Sequence, residues 1–157
     1  MPRRRDVPRR FAEATKVPAI QSRAEIERLL SRHQCTQYGT AVDTISLTGR
    51  VQFRSHDRIV RFTFALPDPQ KYRVHERHEQ ETRRIWRALL LVIKAKLEVV
   101  ENKIATFEEE FLAHIVMPNE QTVGDLVGPL ILDAYAHGRM PRALLGAGTA
   151  ATDPTKG

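Results

Sequence analysis

Apolar residues recur along this chain in two periods. Ile26, Leu29 and Leu30 fall at helical spacing, and Ser22-Arg23-Ala24-Glu25 ahead of them has the form of a capping box. That spacing predicts a first helix over about Arg23–His33. From Thr36 the period drops to two. Thr36–Val42 reads as a strand, Asp43-Thr44 as a turn, and Ser46–Arg54 as a second strand. Ser55-His56-Asp57 supplies the next turn, before a third strand over Ile59–Leu66 that Pro67 ends. Connections this short imply an antiparallel meander.

The two faces of that sheet differ. Leu47, Val51 and Phe53 alternate with Val60, Phe62, Phe64 and Leu66 on one face, which should pack on helices. Thr48, Arg50, Gln52 and Arg54, with Arg61 and Thr63, form the other. No aromatic residue belongs to this open face unless the register slips by one and brings Tyr38 near, so base stacking has little support there.

After a polar, basic connection over Asp68–His78, the period returns to that of a helix. Ile85, Trp86, Leu89, Val92, Ile93, Leu97, Val100 and Ile104 give a long helix over about Glu79–Lys103 a wide apolar face. Ala88–Ile93 is apolar nearly all round, which makes this helix central. Arg83, Arg87 and Lys94 share a stripe that Glu98 and Glu101 extend, with Lys94 and Glu98 as an i, i+4 pair. Lys96 falls on the apolar side and reads as a snorkelling lysine in preference to a catalytic one. Thr106-Phe107-Glu108-Glu109 is a second capping box, opening a short helix through about Val116 with Phe107, Phe111, Leu112 and Ile115 inward. Thr122 and Asp125 make a third, opening a last helix over about Val123–His137. Pro129 inside it predicts a kink or a late restart, and Gly138 and Pro141 end it. The fold class is therefore α+β: helix, three-stranded antiparallel meander, long central helix, then two shorter helices (αβββααα).

Composition narrows the setting. The chain has 157 residues, 41% of them hydrophobic and 28% charged, enough for one domain with a real core. Its longest apolar run, Ala88–Ile93, is far shorter than the roughly 18 residues of a membrane span. Arg3, Arg4 and Arg5 are not followed by an apolar stretch, which argues against a secretory signal. The single Cys35 can form neither an internal disulfide nor a cysteine zinc site, so a reducing, cytoplasmic setting fits best. The formal charge is +6, but six basic and two acidic groups lie in residues 1–16, leaving the remainder only two positive charges in excess. Residues 1–17 thus read as a basic flexible arm, 18–141 as a single α+β domain and 142–157 as a disordered tail.

The candidate chemistry is phosphate binding. Arg3, Arg4, Arg5, Arg9 and Arg10 in the arm, Arg50, Arg54 and Arg61 on the sheet, and Lys71, Arg73 and Arg77 in the connection could form one basic path along a nucleic acid. No catalytic residues or cofactor are indicated: there is no Gly-rich phosphate loop and no local nucleophile motif. His75 and His78 could share a metal only if helical, and His75-Glu76-Arg77-His78 is one residue short of HExxH. Glu108, Glu109 and Glu110 diverge around a helix and suit its first turn better than an ion.

The order helix, three strands, helix is also that of double-stranded-RNA-binding domains, without their lysine-rich signature, and a meander on a long helix occurs in phage single-strand annealing proteins. Both are likenesses of topology alone. At the level of sequence, Pro18–Pro67, the run Arg84-Ile85-Trp86-Arg87-Ala88-Leu89-Leu90-Leu91-Val92-Ile93-Lys94-Ala95-Lys96-Leu97-Glu98, Thr106–Ala113 and Thr122-Val123-Gly124 resemble a family of small proteins of bacterial genomes, phages and other mobile elements. The resemblance spans about residues 18–141. It implies a bacterial or phage context and transfers no catalytic residue. The function expected is a non-enzymatic nucleic-acid-binding accessory protein with DNA or RNA as partner. The alternative is a protein-interaction subunit of a phage or defence assembly, or a homo-oligomer, on the strength of unusually apolar central and last helices; no membrane partner is expected.

Overall fold

A computed structural model describes residues 10–142 of the protein. Its element order matches the α+β reading, with four α-helices and one three-stranded antiparallel sheet among the described residues. The first helix, α1 (Ala19–Arg32), begins a turn earlier than the capping box suggests. Pro18 occupies the N-cap, and its carbonyl accepts from the amides of Gln21 and Ser22 at 3.0 and 3.2 Å. Ser22 is therefore no cap. It lies four residues before Ile26 on the same helical face, and its hydroxyl is fully buried without a hydrogen-bond partner. The helix thus starts from the Pro18 carbonyl, a turn ahead of the serine.

Strands β1 (Thr36–Asp43), β2 (Thr48–Ser55) and β3 (Arg58–Ala65) form the meander in that order. The first turn is longer than two residues: the Asp43 carboxylate accepts from the amides of Ile45 and Ser46 at 2.8 and 3.0 Å. Register pairs Val51 with Phe62 and Phe53 with Val60, all buried, so the apolar face is as the alternation requires. A bulge between Thr36 and Gly39 re-aims the start of β1, with Gln37 in the left-handed region. Gly39, not Tyr38, stands opposite Gln52.

Helix α2 (His75–Glu101) starts one turn before the predicted Glu79, so the polar connection shrinks to a 3-10 turn at Pro69–Lys71 and its flanks. Trp86, Leu90, Ile93 and Leu97, at i, i+4, i+7 and i+11, are its buried stripe. Trp86 meets Phe64 edge-on at 5.0 Å, and Phe64 in turn lies over Gly49, where a Cβ would stand 2.4 Å from the ring. Helix α3 (Phe107–Phe111) carries the expected Thr106–Glu109 capping box but is shorter than predicted, giving way to a 3-10 turn at Leu112–His114. Phe111 sits edge-on to both Phe53 and Phe62. Lys96 reaches the Glu110 carbonyl at 2.7 Å and carboxylate at 3.3 Å, fastening α2 to α3. The chain then bridges β3 at Val60–Ile115, turns back between Val116 and Thr122, and enters α4 (Val123–His137) through the third predicted capping box. This helix runs through Pro129 as one element, without the late restart, and ends on Gly138 in the left-handed conformation.

Candidate nucleic-acid interface

The arginines expected to share the open face of the sheet are engaged unequally. Arg61 gives its Nε to Gln52 at 2.9 Å and its two terminal nitrogens to the carbonyl and carboxylate of Glu120 at 2.8 and 3.0 Å. It clamps the 116–122 turn onto the sheet. Arg54 donates to the Gln37 side chain at 2.8 Å, which leaves its charge uncompensated, and Arg50 is exposed opposite Thr63. Lys71 and Arg73 are exposed just ahead of α2, and Arg77 in its first turn. Arg3, Arg4, Arg5 and Arg9 lie outside the described residues. Arg10 does not extend free: it pairs with Glu81 at 3.2 Å, and Gln80 donates to the carbonyls of Glu13 and Thr15 at 2.8 and 2.9 Å. Residues 10–17, the described part of the expected arm, are thus tied to α2 through Arg10, Glu13 and Thr15. Glu81 also holds Arg84 at 2.7 Å; that bond, opposed by burial and aided by the charges of Arg84 and Arg10, keeps its carboxyl below the usual range.

A larger concentration of cations lies between the helices. Glu25 meets Arg87 at 2.9 Å and His33 meets Glu101 at 3.6 Å, so α1 and α2 run side by side in the same direction. Between them is a groove of about 480 Å³ with Leu29, Leu90 and Leu91 in its walls. Arg28 and Arg32 border it from α1, Arg87 and Lys94 from α2, against the single carboxylate of Glu25. Periodicity explains the line-up: Arg28 and Arg32 are one turn apart, Arg87 and Lys94 two turns apart, and each pair flanks the leucines on which the helices pack. Lys94 does not pair with Glu98; Arg28, Arg32 and Lys94 have no ion-pair partner among the described residues. A neighbouring cleft is lined by Arg10, Glu13 and Thr15 together with Arg87 and Leu91, so the arm joins the body at the edge of the groove.

Three charged forks or ammonium groups free to turn toward solvent, over an apolar floor, suit a ligand that offers several phosphate oxygens. The sequence reveals the α2 half of this set as a stripe. It does not reveal the α1 half as its neighbour, because that depends on how the two helices pack.

The histidines carry no comparable case. His75 and His78 are helical, as a shared metal would need, but His78 meets the Pro67 carbonyl at 3.0 Å and His75 the Glu79 carboxylate at 3.7 Å. His33, Glu98 and Glu101 bring their ligand atoms within 4.8 Å of one another at the surface, an arrangement common in the absence of any ion. His114 stacks on Phe62 at 3.9 Å, where burial, then the charge of Lys96, lowers its pKa below 6.5. Cys35 is buried and its thiol is pushed up to about 11, which keeps it protonated.

Fold and site together define an α+β protein whose sheet is covered by two parallel helices with a cationic groove between them. No family model, curated protein or solved structure matches the chain. Among the described residues no helix is long and apolar enough to cross a membrane.

Proposed function

We propose that the protein is a non-enzymatic nucleic-acid-binding accessory protein that receives a phosphate backbone in the α1/α2 groove, with the N-terminal arginines extending the contact. The observation that carries this reading is the gathering of Arg28, Arg32, Arg87 and Lys94 around one groove against a single carboxylate. Counterion release from the nucleic acid on contact with such a cluster supplies the binding free energy, largely without regard to base sequence. Arg10, although paired with Glu81, shares a cleft with Arg87, so the described start of the arm meets the edge of the groove. On the sheet, Arg50 and Arg54 keep charge available for a secondary contact, while Arg61 is spent on Glu120. The resemblance over residues 18–141 implies a bacterial or phage setting, and a cytoplasmic site of action suits it.

The reading is tested by fluorescence anisotropy with labelled single- and double-stranded oligonucleotides. Arg28→Gln with Arg32→Gln should weaken binding about tenfold or more, whereas Arg50→Gln with Arg54→Gln should change it less. Equal affinity for all three proteins, or no binding by the wild type, rejects the groove as the contact.

A further inference from the structure

Helix α4 is the most apolar helix of the protein and the least covered. None of its residues is buried, and Leu132 and Tyr135 are 74% and 88% exposed. Its inward side, Val123, Val127, Leu130 and Ala134, is only half-buried. At 100° per residue, Ile131, Tyr135, Gly128, Leu132, Ala136 and Pro129 occupy one continuous outer arc. The helix is also intrinsically weak: Gly124 and Gly128 each cost about 1 kcal/mol against alanine, and Pro129 about 3. A helix with such propensities draws its stability from packing, and this one leaves its outer face unpacked.

The charges at its two ends identify what fits there. Asp125 stands in the first turn and Arg139 and Arg142 just past the C-terminal end, whereas Glu120 is already held by Arg61 at 3.0 Å and His137 by Asp133 at 2.9 Å. Arg139 and Arg142 have no ion-pair partner among the described residues. Laid antiparallel, a second α4 sets the acidic end of each copy against the basic end of the other and opposes the two helix dipoles. The arc between carries one charge, Asp125 in the first turn, and is edged by Asp133, the partner of His137. A surface carrying both complementary halves is self-complementary under a two-fold axis, as an isologous contact requires.

We infer that the outer face of α4 is the two-fold interface of a homodimer, with Leu132 and Tyr135 packed against an antiparallel α4 of the second copy. With Ile131 and Met140, 47% and 58% exposed, the apolar area on offer is on the order of several hundred Å², suited to a reversible dimer. The pairing leaves the α1/α2 groove uninvolved and does not rest on nucleic-acid binding.

Sedimentation equilibrium of the full chain, from about 1 to 100 μM, tests it. The wild type should dimerise; Leu132→Asp should raise the dissociation constant about tenfold or more with an unchanged far-UV spectrum. Arg139→Glu with Arg142→Glu should raise it several-fold, because the antiparallel arrangement sets these charges against Asp125. A wild type that stays monomeric overturns the inference, as does a dimer indifferent to Leu132→Asp or to the charge reversal. A chain truncated after Arg142 separates a rival occupant: if it dimerises while the full chain does not, residues 143–157 cover α4 and the second copy does not.

Discussion

Helices α2 and α4 are both rich in apolar residues, yet they meet opposite fates. The longer α2 is bordered by charges along most of its length, and it buries Trp86, Leu90, Ile93 and Leu97 against the sheet and α1. The shorter α4 has only two acidic residues and a histidine within it, and none of its residues is fully buried. What decides burial is the phase of the apolar residues, not their number. In α2 the buried residues recur at i, i+4, i+7 and i+11 on one line, while Arg87 and Lys94 edge the groove beside it. In α4 the apolar residues surround the helix, so whichever side docks, an apolar side remains outward.

The two helices are also attached differently. Side chains hold α2, whereas main-chain contacts hold the start of α4: the Val123 amide donates to Ile115 at 2.9 Å, and a Cβ at Gly124 would lie 2.8 Å from the Ala113 carbonyl oxygen. Several substitutions can break that contrast. Trp86→Ala should have the largest effect, lowering stability by about 3–5 kcal/mol in chemical denaturation, since it empties a buried site beside Phe64. Gly124→Ala should cost about 1–3 kcal/mol by forcing α4 away from Ala113; hydrogen exchange would locate the loss in α4, with α2 protected as before.

His114, at the junction between the two regions, gives a smaller effect with a definite sign. Its folded pKa lies below 6.5, so the fold favours the neutral ring. That contribution is complete above the unfolded value of about 6.5 and is lost as the pH falls through it toward the folded pKa. The urea midpoint should therefore drop between about pH 7 and 5, and His114→Gln should flatten that segment of the curve. Smallest of all, Tyr135→Ser on the outer face of α4 should shift the stability of the monomer by no more than about 0.5 kcal/mol, as measured at concentrations too low for association.

Much of this was legible in the sequence. The strand alternation put Val51, Phe53, Val60 and Phe62 inward, and two of the three capping boxes begin helices as their spacing requires. The Ser22 box does not, because Pro18 opens the helix first and the phase of Ile26 turns Ser22 inward. The functional surface was harder to read for a different reason. Arg61 belongs with Arg50 and Arg54 by strand phase, but its charge is taken up by Glu120, 59 residues away. Arg28 and Arg32 look like an ordinary solvated helix face until α2 is laid beside them. Local periodicity predicts which way a side chain points; it does not predict what another element brings to meet it.

The groove claim is tested most directly by the salt dependence of nucleic-acid binding in two proteins, the wild type and Arg32→Gln with Lys94→Gln. If the groove neutralises three or four phosphates, wild-type affinity should fall roughly 40- to 150-fold between about 50 and 200 mM salt, and the double variant should show a slope of log K against log salt shallower by about two. Identical slopes for the two proteins would contradict the assignment of the phosphate backbone to the α1/α2 groove.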